Sequence, residues 1–165
     1  MKLSDGTLRK LVERGDIEFV PGLTDQQWQP CSVDLRLGTS FQSPGKPRLI
    51  TSSYKLHPGE FVLGCTQERV RLGRAFMGQV EGRSTWARRG LQVHAAGLVD
   101  PGFDGELTLE LVNLGSFPLA LSAGERICQM TIERLDWPAV RPYGHAALGS
   151  KYQHQIGATS ASEHE

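Results

Sequence analysis

The chain has 165 residues, with 18 Lys and Arg balancing 18 Asp and Glu, so its net charge is zero. That balance excludes the basic excess by which a general nucleic-acid binder neutralises phosphates, and any anion site must be local. No apolar run reaches membrane-spanning length, and the opening MKLSDGTLRK lacks the hydrophobic stretch of a signal peptide, so a cytoplasmic protein that binds no membrane is expected.

Ser4 is placed to cap a helix in which Leu8, Leu11 and Val12 share a face, with Gly15 as its stop. Beyond it the chain breaks into short β-rich runs, among them Ser32 to Leu37, Phe61 to Thr66 and Leu107 to Val112. Nineteen Gly and nine Pro punctuate these runs. The pattern predicts a mainly β sandwich or barrel. No helical pattern separates consecutive strands, which counts against a doubly wound α/β fold. One domain over 1–165 is expected. From about Gly144 the sequence turns small and polar, a tail expected to be mobile until something holds it.

Cys31, Cys65 and Cys128 lack metal-type spacing, and Cys128, inside an apolar run, reads as a small buried hydrophobe. The His-x-Glu with Pro-Cys-x-x-Cys pattern of zinc deaminases is absent, so no zinc is expected. His94, between Val93 and Ala95, reads as a packed histidine.

Three features invite chemistry. The first is Gly82-Arg83-Ser84-Thr85 with Arg88 and Arg89, which reads as a short helix opened by a hydroxyl cap and closed by Gly90. Its free N–H groups suit a phosphate, and Ser84 and Arg88 are four apart on one face. A capped turn with solvated arginines fits the same residues. The second is Asp100-Pro101-Gly102-Phe103, a turn motif in its own right. The third is the run from Glu106 to Val112. Leu107, Leu109 and Leu111 alternate there with Glu106, Thr108 and Glu110, which makes Glu110 by periodicity an ordinary outward carboxylate.

Taken in order, several segments resemble the dCTP deaminase branch of the deaminase and dUTPase superfamily. They are Leu3-Ser4-Asp5, Pro30-Cys31-Ser32-Val33-Asp34-Leu35-Arg36-Leu37-Gly38, Leu56-His57-Pro58-Gly59-Glu60 and Gly82-Arg83-Ser84. Val99 to Phe103, Thr108-Leu109-Glu110, Arg141-Pro142-Tyr143 and Lys151 to Gly157 continue the series. The resemblance implies a distorted β-barrel or jelly-roll of the dUTPase-like type, assembled as a homotrimer with sites at subunit interfaces. It implies deamination of dCTP to dUTP and ammonia, supplying dTTP precursors.

The resemblance makes Glu110 the general acid/base, where trimeric dUTPases carry an apolar residue. Ser84 and Arg88 would orient water and stabilise charge. Arg83, Ser84 and Thr85, with Lys151 and Gln155, would contact the triphosphate, which would bring magnesium with it. Asp100 would meet the deoxyribose 3′-hydroxyl, Thr108, Leu109 and Glu110 would line the base, and Gln129 and Tyr143 would complete the wall.

Typical deaminases carry His-x-Thr-Ala where this chain reads His94-Ala95-Ala96-Gly97, one residue short and without the threonine. A dUTPase, or a bifunctional enzyme releasing dUMP and pyrophosphate, is the alternative. A silent nucleotide sensor is a further one, against which Glu110 argues.

Overall fold

The computed structural model describes residues 1–94 and 97–161, with only the backbone of His94. Its single long helix is α1 (Asp5–Glu13), followed by β1 (Ile17–Val20), β2 (Trp28–Gln29), β3 (Ser32–Arg36), β4 (Ser40–Phe41), β5 (Leu49–Ile50), β6 (Ser53–Leu56) and β7 (Phe61–Leu72). The chain continues through β8 (Phe76–Gly82), the one-turn helix α2 (Ser84–Ala87), β9 (Leu91–His94), β10 (Leu98–Val99), β11 (Asp104–Asn113), β12 (Leu119–Ser122) and β13 (Arg126–Arg134). The predicted mainly β fold with a short N-terminal helix is what forms.

Local chemistry accounts for the helix. Ser4 Oγ accepts the Thr7 N–H, satisfying one of the orphan donors of the first turn, and Gly15 follows the last turn at φ +74°. Leu8 is buried, and Leu11 and Val12 pack against the core.

A four-stranded sheet in the order β1-β7-β11-β9 faces a five-stranded one in the order β10-β8-β13-β3-β2, and every pairing is antiparallel. Bridges Leu37↔Thr66 and Gln42↔Leu63 tie chain beside β3 and β4 to β7. The inward residues alternate with outward ones along each strand. Val33 and Leu35, Val62 and Val70, Leu109 and Leu111, and Met130 and Ile132 are all fully buried between the sheets. Each such side chain contributes about 1.5–3 kcal/mol of transfer free energy.

Two departures from the sequence reading have clear causes. The strand expected over Phe61 to Thr66 runs on to Leu72, because β11 offers it a long partner. Between them the ladder slips: Glu106 pairs with Arg69, but Thr108 pairs with Cys65, so Thr66, Gln67 and Glu68 stand opposite Leu107 alone. The slip places Glu68, which is fully buried, among donors. Its carboxylate accepts Arg36 Nε at 2.6 Å, Arg36 N–H at 2.8 Å and Gln27 Nε2 at 2.9 Å, which offsets the cost of desolvating a charge.

Candidate active site

The outward face of β11 carries Glu106, Thr108 and Glu110, all half-buried, as the alternation predicted. Thr108 and Glu110 line a cleft of about 670 Å³ whose apolar walls include Leu63, Leu98, Val99, Phe103 and Leu107. Asp100, Tyr143, Tyr152, Gln155 and Thr159 complete it.

Asp100 is held by the turn that the sequence announces. Phe103 N–H donates to Asp100 O at 3.1 Å, and Gly102 sits at φ +89° in the position that a type II turn after Pro101 reserves for glycine. The turn is pinned from outside. Tyr143 N–H donates to Pro101 O at 2.7 Å, Gln153 Nε2 donates to Gly102 O at 2.9 Å, and the Phe103 and Tyr143 rings pack with centroids 5.8 Å apart. Tyr143 Oη then accepts Tyr152 N–H at 3.0 Å, linking the wall to the tail. The tail expected from Gly144 is thus held by the barrel itself as far as the described residues run. Gln155 Nε2 donates to Glu106 O at 2.7 Å, leaving Gln155 Oε1 buried without a hydrogen-bond partner beside the cleft. Lys151 is exposed and is not a wall of the cleft.

The α2 segment is a separate group within one chain. Its cap is Arg83 rather than a hydroxyl, and no side chain bonds the first turn, which corrects the predicted Ser or Thr cap. Gly90 ends it at φ +93° as expected. Trp86 anchors it, buried and donating Nε1–H to Arg126 O at 3.2 Å. Arg83 is engaged internally: Nε lies 3.1 Å from Asp34 Oδ2 and Nη1 donates to Arg126 O at 3.0 Å. Burial pushes the Asp34 carboxyl up, against the pull of Arg83 and Arg126. Ser84, Thr85 and Arg88 are all exposed, with Ser84 one turn before Arg88. None of the four α2 residues named for the triphosphate or the water is a wall of the Glu110 cleft.

Two further expectations need correction at the level of placement. Leu109 is fully buried on the core face, so its side chain does not line the base; its place in the apolar alternation already implied this. Gln129, on β13, is in register between Asp34 and Glu81, and so belongs to the sheet beside α2 rather than to the cleft wall with Tyr143. The shortened loop at Ala95 and Ala96, and the side chain of His94, lie outside the described residues.

Cys128 is fully buried, and burial pushes its thiol far up, as befits a small hydrophobe. Among the described residues no three His, Cys, Asp or Glu side chains gather as a metal site, and no helix is long and apolar enough to cross a membrane. Thr159 has no signal in the sequence beyond its position in the small polar tail, whereas Tyr152 falls inside the Lys151 to Gly157 segment that carries the resemblance.

Chemically, the cleft offers one carboxylate at a part-apolar wall, a second carboxylate fixed by a rigid turn, and a strap of tail over both. That suits a planar ring bearing a polar edge. Residues 2–135 match the dCTP deaminase-like family. A dCTP deaminase of Natronomonas pharaonis is 45% identical over 95% of this chain and 92% of its own length. A dUMP-forming dCTP deaminase of Methanobrevibacter smithii is 39% identical over 96% and 93%. In fold, the chain superposes on the 2′-deoxycytidine 5′-triphosphate deaminase of Agrobacterium tumefaciens with a TM-score of 0.69 at 22% identity, covering 81% of this chain and 47% of that one. The chain therefore spans about half the length of that solved structure.

Proposed function

The chain belongs to the dCTP deaminase-like family, and on that footing we propose that it hydrolyses dCTP to dUTP and ammonia, with Glu110 as the proton shuttle. The observation that carries the reading is Glu110 itself, an acidic side chain on the outward face of a strand, opening into a cleft with Thr108 and Asp100. Deamination adds water at C4 of cytosine, places a proton on N3 and expels ammonia. Glu110 takes one proton from the attacking water and places it on N3. It then takes the second from the new C4 hydroxyl as the carbonyl forms and hands it to the departing nitrogen, which leaves as ammonia. Atoms balance: dCTP and water give dUTP and ammonia.

Asp100 accepts a hydrogen bond from the deoxyribose 3′-hydroxyl, and its rigid turn leaves no slack for a bulkier sugar. The backbone and hydroxyl of Thr108 edge the base. Ser84 and Arg88 hold the water and the charge that develops on it. Arg83, Ser84 and Thr85, with Lys151 and Gln155, hold the triphosphate, on which magnesium enters as part of the substrate.

In a single chain the α2 residues and the Glu110 cleft are apart. The proposed site is therefore completed by a second copy, whose α2 lies over the cleft of the first, in a homotrimer of three such sites. Exposed Leu98 at the cleft rim and exposed Leu114 and Phe117 after β11 are apolar surface of the kind such contacts cover.

Purified protein incubated separately with dCTP and dUTP, followed by chromatography of the products, tests the reading. Conversion of dCTP to dUTP with release of ammonia is expected. Absence of any dCTP conversion would overturn it, and dUMP with pyrophosphate would move the chain to the dUMP-forming type.

A further inference from the structure

The path of the tail along β11 is fixed by a carboxylate that takes no part in the proposed chemistry. His154 N–H donates to Asp104 O at 2.6 Å, Glu106 N–H donates to Gln155 O at 3.0 Å, and Thr159 N–H donates to Thr108 Oγ1 at 3.2 Å. The tail thus climbs the outward face of the strand, past residues 104, 106 and 108. The next outward residue is Glu110, and Ser160 and Ala161 already stand in its cleft.

Midway, three consecutive tail residues are gripped by side chains. Arg48 Nη1 donates to Ile156 O at 3.1 Å, Glu106 Oε2 accepts Gly157 N–H at 2.7 Å, and Ser40 Oγ accepts Ala158 N–H at 2.9 Å. The three gripping side chains line a second cavity, of about 480 Å³, that does not include Glu110. Gly157 is at φ +73°, and a Cβ there would come 2.7 Å from Ser40 Oγ and 3.1 Å from Arg48 Nη1. Only a glycine passes this point, so the register of the tail is set here. Cys65 lines the same cavity, and burial, with the Glu106 carboxylate beside it, pushes its thiol up to about 11. It remains a neutral neighbour.

We propose that Glu106 is a positioning residue for deamination: through the Gly157 N–H it sets the register of the tail along β11, and so decides where Gln155 and Thr159 stand in the cleft of Glu110. Glu106 acts through the tail, since its own side chain lines the other cavity. The inference rests on the deaminase reading for its kinetic readout, but not for its structural one.

The test compares Glu106→Ala, Glu106→Gln, Gly157→Ala and the double variant Glu106→Ala/Gly157→Ala in the full chain. Amide exchange of residues 155–159 is read by NMR, and steady-state kinetics are read with dCTP. Loss of a hydrogen bond to a charged group predicts exchange faster by about tenfold in Glu106→Ala, and a KM raised by a similar factor with kcat nearly kept. Glu106→Gln keeps an acceptor and restores both. The double variant is no worse than the poorer single one, because both break one contact.

Unchanged exchange in Glu106→Ala, failure of Glu106→Gln to rescue, or fully multiplicative losses in the double variant would overturn the proposal. Should Glu106→Ala not fold, Gly157→Ala carries the same expectation for exchange and KM. If the wild type leaves dCTP intact, the deaminase reading fails, and exchange alone still decides the role of Glu106.

Discussion

Replacing Gly102 by alanine tests whether the Asp100 turn is the rigid part of the site. The residue sits at φ +89°, where a Cβ costs about 1–2 kcal/mol of backbone strain. That Cβ would also stand 2.7 Å from Pro142 Cβ and 3.0 Å from Tyr143 O, atoms of a ring and a backbone that cannot swing aside. Overpacking of this kind adds about 1–3 kcal/mol. A total of about 3 kcal/mol lowers the melting temperature by roughly 6–12 °C in a chain of this size.

The distinguishing readout is activity compared with a variant matched for stability. Leu121→Ala empties a fully buried position on β12, is not a wall of the cleft, and costs a similar 2–5 kcal/mol or so. Both variants are assayed well below their melting temperatures with dCTP. Gly102→Ala should lose about tenfold or more in kcat/KM beyond Leu121→Ala, because a misplacement of about 1 Å in a binding group costs up to about a hundredfold. Equal activity in the two variants would refute the assignment of the turn to the site, and an unchanged melting temperature would refute the steric reasoning itself.

Glu110→Gln should lower kcat by about 10²- to 10⁴-fold while keeping the fold and dCTP binding, as expected when a proton shuttle is removed; near-normal turnover would sink the role of Glu110. A third expectation concerns acid stability. Although burial opposes it, the bonds from Tyr54 Oη at 2.6 Å and His57 N–H at 2.8 Å hold the Glu60 carboxyl below its ordinary value of 4.5. A depressed folded value means stability that is present above the unfolded value and lost as pH falls through the folded one. The stability difference between wild type and Glu60→Gln, measured by urea denaturation, should therefore be constant above about pH 5 and shrink below it; a difference that grows on acidification would contradict the bonding.

What was legible in the sequence was what is local. The Ser4 cap, the Gly15 stop, the alternation along β11 and the turn at Asp100 each depend on residues a few positions apart, and each forms as read. What was hidden depends on partners far along the chain. Arg83 reads as a free phosphate ligand until Asp34, on another strand, takes its Nε. Glu106 reads as one more outward carboxylate until a tail residue 51 positions away donates to it. Gln129 reads as a companion of Tyr143 in one wall until β13 is seen to lie between β8 and β3, because nothing near it in sequence reveals those neighbours. Glu110 was visible as a residue, but its importance came from resemblance, since periodicity alone gives every outward carboxylate on the strand the same standing.

The slip between β7 and β11 bears on how this chain tolerates changes in length. Three residues of β7 lie opposite Leu107, a surplus of two over a regular ladder. Two is an even number, so inward positions stay inward on both sides of the slip: Val62 and Val70 both face the core, and Leu63, across from Glu110, stays outward. Deleting one residue from Thr66 to Glu68 would reverse the facing of one half of β7, burying Leu63's neighbours on the wrong side and pulling the wall away from Glu110. Deleting two would keep the facing of both halves, at the cost of the buried bonds that Thr66 or Glu68 makes. Insertions and deletions in this stretch are therefore expected to be accepted in pairs and rejected singly, a rule of parity that a library of one- and two-residue deletions screened for folded protein would reveal.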